Sequence, residues 1–428
     1  MAKKKTIKKT RKVSAKKRKK KINLFSRVIF NFVSNMESLE SSIPIIIDIL
    51  EDKLKEETDN LKDFSDKLKP KKLKNKAADH LVDNFEKIRY LLKRYERSSI
   101  AKISIPRSMF ILMVTYYDSL FRELIKIVFC AFPEIISCSE KNIPVSDLFK
   151  NEDLQSLKQK IIEKETDSIL RGSHADQVKW LESKLKINLR DNSDLWKKFI
   201  EITERRNILV HSDGIITEQY LNVCERNEIK LDRGIKKGFE ISLNKKYFEE
   251  SLDVIFEFGL KISQVIRRKI NPKEKESADN DLLRISYDLL MNEKYEMVEK
   301  ILNYKYLYSS EEFRLYFIIN RAIALRDMGK KDESKKIISS NDLSAVDDKF
   351  KLAAAVILEQ FGEAEKIMKR IKNSVDMKYA YRWWPLFDEF RKTKYFLRTY
   401  KSLFKENFNS GNNIEKLKKD MEIVKKQN

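Results

Sequence analysis

Eight glycines and seven prolines are the only strong chain breakers in 428 residues. Lysine, glutamate, leucine and isoleucine dominate the stretches between them, and all four sit in a helix at lower cost than glycine or proline. An all-α fold is therefore expected. Hydrophobic residues make up 42% of the chain, enough for a real core. At roughly 100–200 residues per domain the length suggests two or three domains. Scarce glycine also disfavours folds built on glycine-rich phosphate loops. Gly234-Ile-Lys-Lys-Gly238 is too short for one and lacks the Lys-Ser/Thr ending.

The formal net charge is +23. Residues 1–21 hold thirteen Lys or Arg and no acid, and without them the chain still carries +10. Such a segment cannot bury apolar area and is expected to be disordered. Its densest run is Lys16, Lys17, Arg18, Lys19, Lys20 and Lys21. A basic body with a more basic tail favours a polyanion, nucleic acid before membrane. The run reads either as a nucleic-acid arm or as an import signal. Three scattered cysteines, Cys130, Cys138 and Cys224, offer neither a disulfide frame nor zinc spacing, so a reducing cytoplasm is expected. No signal-peptide cleavage pattern follows Ile22. The most apolar run, Met109 to Ile136, contains Asp118, Arg122, Glu123 and Lys126 and reads as a buried helix, not a membrane span.

Helical periodicity organises the rest. Residues 22–99 read as N-terminal helices, with Pro44 in the first turn of one and a charged break at 69–76. Pro106 opens a strong helix from Ser108 to Phe132, whose Phe110, Val114, Tyr117, Phe121, Leu124 and Val128 keep the 3.6-residue spacing. Val145 to Ser168 looks helical. Ser173, three residues before Asp176, looks like a helix start. Leu195 to Val210 forms the next helix, with Gly214 just beyond its end. Residues 217–224 and 246–268 supply two more. Residues 271–281 are polar and read as a linker. Beyond it Val298-Glu-Lys-Ile-Leu, Ser334-Lys-Lys-Ile-Ile and Ala364-Glu-Lys-Ile-Met recur at spacings of 36 and 30, each after a polar turn. Helix-turn-helix units near 34 residues resemble tetratricopeptide repeats, and 282–428 is expected to be a repeat-like helical domain, with a poorer unit near Tyr379 to Phe404.

The chemistry concentrates in one stretch. Glu204-Arg205-Arg206-Asn207-Ile-Leu-Val-His211 holds one of three histidines, a fixed cation and an amide within eight residues. On a helix Asn207 and His211 lie one turn apart on the same face. Arg206 and His211 are about 140° apart around the axis and about 7.5 Å along it. They can address one phosphate only if Arg206 wraps round, the helix end distorts near Gly214, or a second subunit contributes. By itself this pattern also fits a surface salt bridge and a helix-capping cation.

The run Glu201 to Gly214, with Tyr220, Leu221 and Cys224 following, resembles the HEPN family (higher eukaryotes and prokaryotes nucleotide-binding). The helix around Gln177-Val-Lys-Trp-Leu-Glu and the later Tyr247-Phe248 helix share the likeness, which covers residues 100–270. It implies a helical bundle that dimerises with two motifs facing across a groove. It also implies metal-independent RNA cleavage, with Arg206, Asn207 and His211 catalytic and Asp118 near the groove. Glu204 is a supporting candidate, paired with Arg205 or orienting the site, and Arg205 joins Lys16–Lys21 as a candidate RNA contact. His174 reads as part of a helix start, His80 shows no partner pattern, and no His–acid pair has zinc spacing. Nothing suggests a cofactor. Trp383-Trp384 fits core or base stacking.

The resulting expectation is a cytoplasmic endoribonuclease of the toxin or antiviral-defence kind, whose C-terminal helices bind a protein partner or inhibitor. The alternative is a non-catalytic RNA-binding adaptor that dimerises through the same bundle and binds proteins through its repeats.

Overall fold

A computed structural model describes residues 23–68, 77–136, 154–190, 193–371 and 375–408. The fold is all-α: the described residues form sixteen α-helices and no strand. The basic run 16–21, the break at 69–76, Cys138 and residues 145–153 lie outside the described residues.

Two long helices frame the molecule. Helix α1 (Leu24–Leu68) has 45 residues and α2 (Ala77–Ala131) has 55, so they span about 68 and 82 Å. They pair with each other, and α1's first half buries Ile29, Phe32, Val33, Met36 and Ile43. The end of α2 buries Phe110, Val114, Tyr117, Phe121 and Leu124, as the periodicity predicts. The other halves form an exposed hairpin tied by Arg94–Glu57 (2.7 Å) and Lys102–Glu51 (3.4 Å).

Pro44 and Pro106 do not open helices; each lies inside one. A mid-helix proline costs about 3 kcal/mol. Both sit where the buried half of a helix gives way to the exposed half, so packing on the core side holds the helix through the lost hydrogen bond.

Helix α3 (Leu154–Leu170) lies on α2, followed by α4 (His174–Leu185), α5 (Ser193–His211), α6 (Glu218–Arg226) and α7 (Lys245–Ile270). Ser173 caps α4 by accepting from the Asp176 N–H. Seventeen residues of α7 are buried, against α1, α2 and α5. At Gly259 a Cβ would stand 2.5 Å from Phe32 Cζ and 3.2 Å from Leu120 Cδ2, so glycine sets the approach of α7 to both long helices.

The segment 271–281 differs from expectation. It is a 3₁₀ turn (Pro272–Glu274) followed by α8 (Lys275–Met291). Its two aspartates are drawn into ion pairs. Asp279 is fully buried, pairs with Arg268 and accepts from the Ser309 N–H at 2.7 Å. Asp281 pairs with fully buried Arg267 at 2.5 Å. A polar composition reads as a linker only when its charges face water. Here α7 supplies the counter-ions.

Three helix pairs follow: α8 with α9 (Tyr295–Leu302), α10 (Glu311–Asp327) with α11 (Lys331–Ser339), and α12 (Asp348–Ile357) with α13 (Phe361–Arg370). Their turns are alike. Glu293, Gly329 and Glu359 take positive φ of 61°, 83° and 60°. The next residue's N–H returns to the Leu289, Leu325 or Ala355 carbonyl at 2.8–2.9 Å. This is the left-handed helix stop that satisfies orphan carbonyls, repeated at the period of the sequence motifs. Shorter helices α14 (Val375–Trp383), α15 (Asp388–Arg391) and α16 (Lys394–Phe404) complete the described residues.

Gly259→Ala is expected to lower unfolding stability by about 1–2 kcal/mol, overpacking outweighing the helix propensity gained. Urea denaturation checks this; an unchanged or higher midpoint contradicts the close approach.

Candidate active site

The rotation of α5 about its axis decides where its polar residues point, and a buried polar knot sets that rotation. Glu201 and Arg205, four residues apart, pair at 2.8 Å with side chains 9% and 7% exposed. Glu201 also accepts from the Tyr220 hydroxyl at 2.6 Å and from the Tyr247 hydroxyl. The Arg205 guanidinium donates to the Ser242 carbonyl at 2.9 Å and lies 3.7 Å from the centre of the Tyr247 ring. Burial, with Glu201 beside them, pushes both tyrosine hydroxyls far up from their ordinary pKa. Every charge in the knot is partnered, as a low-dielectric interior demands. Arg205 is therefore part of the framework. The RNA contact expected at Arg205 meets a guanidinium that is only 7% exposed.

With Arg205 turned inward, Arg206, Asn207 and His211 turn to the other side of α5. There they line one open cavity of about 730 Å³ with Asp118 and Glu204. The structure thus brings together all five residues singled out as catalytic or supporting. Arg206 donates through Nη2 to Asp118 Oδ2 at 3.2 Å and through Nη1 to Asn207 Oδ1 at 3.1 Å. Asn207 Nδ2 donates to Glu204 Oε1 at 3.3 Å. Glu204 thus serves Asn207, not Arg205. His211 is exposed at the rim, in the last turn of α5.

The chain then turns sharply. Asp213 and Gly214 adopt φ of 50° and 78°, and the Gly214 N–H returns to the Ile208 carbonyl at 3.0 Å. Arg107 braces this turn, donating to the Asp213 carbonyl at 3.4 Å and pairing with Glu240. The helix runs without interruption through His211 before this turn, and Arg206 and His211 line the same cavity within one chain.

His174 also belongs here. It is 7% exposed, its Nε2 lies 2.8 Å from Asp118 Oδ1, and its ring lies against Tyr117 and Phe199. Asp118 therefore bridges His174 and Arg206, one oxygen to each. An ionised carboxylate only accepts, so Nε2 carries a proton in this contact. Spacing could not reveal the pair, because the partners stand 56 residues apart. The only local signal at His174 was the Ser173 cap, which reads as structural. Arg122 and Arg171 line the same cavity and add positive charge. Gln177 holds the loop above it, donating to the Leu170 and Gly172 carbonyls at 3.2 and 2.9 Å.

Three arginines and two histidines against two carboxylates suit an anionic ligand with several oxygens. Titratable imidazole beside a fixed guanidinium also suits proton transfer at a phosphate. Cys224 cannot serve as a nucleophile, since burial pushes its thiol up to about 12. Among the described residues no group of three or more His, Cys, Asp or Glu is placed to hold a metal ion, and no helix is long and apolar enough to cross a membrane. Trp384 takes no part in this cavity and lies against Phe387.

Burial raises the Glu204 carboxyl above its ordinary pKa, with the Asn207 amide and the charge of His174 acting the other way. A raised acid stabilises the fold below its ordinary pKa, and that contribution is lost as pH rises through the folded value. Glu204→Gln should therefore flatten the fall in melting temperature as pH rises above the ordinary carboxylate range. A steeper fall in the variant contradicts this. No protein-family model, curated protein or solved structure matches the chain.

Proposed function

We propose that this chain is a metal-independent endoribonuclease of the HEPN kind. The observation that carries the reading is the convergence of Arg206, Asn207, His211 and Asp118 on one charged cavity. RNA supplies the nucleophile. His211 takes the proton of a ribose 2′-hydroxyl, O2′ attacks the adjacent phosphorus, and the P–O5′ bond breaks. The leaving O5′ collects a proton from a protonated imidazole or water. The products are a 2′,3′-cyclic phosphate and a 5′-hydroxyl. Arg206 stabilises the charge that builds on the phosphate oxygens. Asp118 orients Arg206, and Asn207 orients the guanidinium or the phosphate.

Two copies would face each other across their His211 rims, forming a homodimer with a shared groove for RNA. The basic residues of 1–21 would add phosphate contacts. The tetratricopeptide-like pairs α8–α13 would take a protein partner or inhibitor. A nuclease so arranged fits a toxin or antiviral-defence effector acting in the cytoplasm.

One observation favours the adaptor reading. Asp118 already pairs with the Arg206 guanidinium, which weakens its pull on a phosphate. Incubating the purified full chain with total RNA in EDTA separates the two. Cleavage is expected, and His211→Ala should lose about 10²–10⁴-fold in rate with an unchanged melting temperature. Arg206→Ala should behave alike. Undiminished cutting by His211→Ala, or none by the wild type, overturns the nuclease reading.

A further inference from the structure

A second cavity, of about 440 Å³, lies far along the chain from the first. It opens on the first helices of the three pairs and on α14. Tyr287, Tyr316, Phe350, Tyr379 and Trp384 line it, one or more from each element, and Asn320 stands among them. Asn320 is only 1% exposed. Its Nδ2 donates to Ser286 Oγ at 3.0 Å, while its Oδ1 has no hydrogen-bond partner. Tyr379 is 57% exposed on the open side. The groove thus suits an apolar segment.

The chain's own course names the occupant. Glu406 accepts from Lys378 at 3.1 Å and from Arg382 at 2.5 Å, both on α14. Phe408 then packs on Phe396 and Tyr400. The described chain thus ends beside the helix that contributes Tyr379 to the groove. Residues 409–428 follow, with Ile414, Leu417, Met421 and Val424 at intervals of three, four and three. Such spacing gathers four apolar side chains on one side of a helix. Twenty residues reach about 30 Å even when coiled as a helix, more than the width of the intervening helix.

We propose that residues 412–426 dock in this groove of their own chain, with Leu417 and Met421 against the aromatic wall. Any partner of the helical pairs must then displace this segment. The inference is independent of the nuclease reading.

Amide hydrogen exchange on the full chain tests it. Amides within 412–426 should exchange at least about tenfold slower in the wild type than in Leu417→Asp/Met421→Asp. Tyr379→Ala, a change at an exposed position, should release the same amides. Unprotected exchange in the wild type overturns the proposal. Protection that grows with protein concentration assigns the groove to a second copy and overturns it too. So does tail protection that Tyr379→Ala leaves intact.

Discussion

The site depends on a buried ion pair that takes no part in it. Glu201 and Arg205 occupy the inner face of α5, held by the hydroxyls of Tyr220 and Tyr247. Successive residues of a helix step 100° around its axis. Fixing Arg205 inward therefore fixes Arg206, Asn207 and His211 outward. The knot contributes directional specificity more than net stability, since a buried ion pair rarely outperforms a well-packed apolar replacement. What it excludes is a rotated α5, which would leave the charged cavity without its arginine.

A second pair of buried ion pairs does the same at larger scale. Arg267 and Arg268 end α7 and meet Asp281 and Asp279 at the start of the helical pairs. Ser26 of α1 joins the cluster through Arg267 and Asp281. The bundle and the helical pairs are thus joined by enclosed charges, and α7 runs on into α8 with only a 3₁₀ turn between. Helix α7 also packs against α5.

Much of the fold was legible because it is periodic. The apolar stripe from Phe110 to Val128, the Ser173 cap and the polar turns near residues 293, 329 and 359 all follow local rules. Those rules rest on 3.6-residue spacing and on which groups satisfy helix ends. The misreadings concern what local rules cannot contain. Pro44 and Pro106 read as helix starts because propensity ignores the packing that carries a helix past them. Asp279 and Asp281 read as a linker because their arginine partners lie 11 and 14 residues away. At the site, Arg206, Asn207 and His211 stood out as a cluster within one turn and a half. Arg205 was indistinguishable from Arg206 in sequence, and only tertiary structure separates the framework arginine from the cavity arginine. His174 was passed over because Asp118 is supplied by a different helix.

The central claim is that this cavity uses the ribose 2′-oxygen as nucleophile. The most direct measurement compares one oligonucleotide as plain RNA and with every 2′-hydroxyl methylated, incubated with the full chain in EDTA. The account predicts that only plain RNA is cut, and that each new 3′ end carries a 2′,3′-cyclic phosphate. Equal cutting of the methylated strand, or 3′-hydroxyl ends, would contradict it.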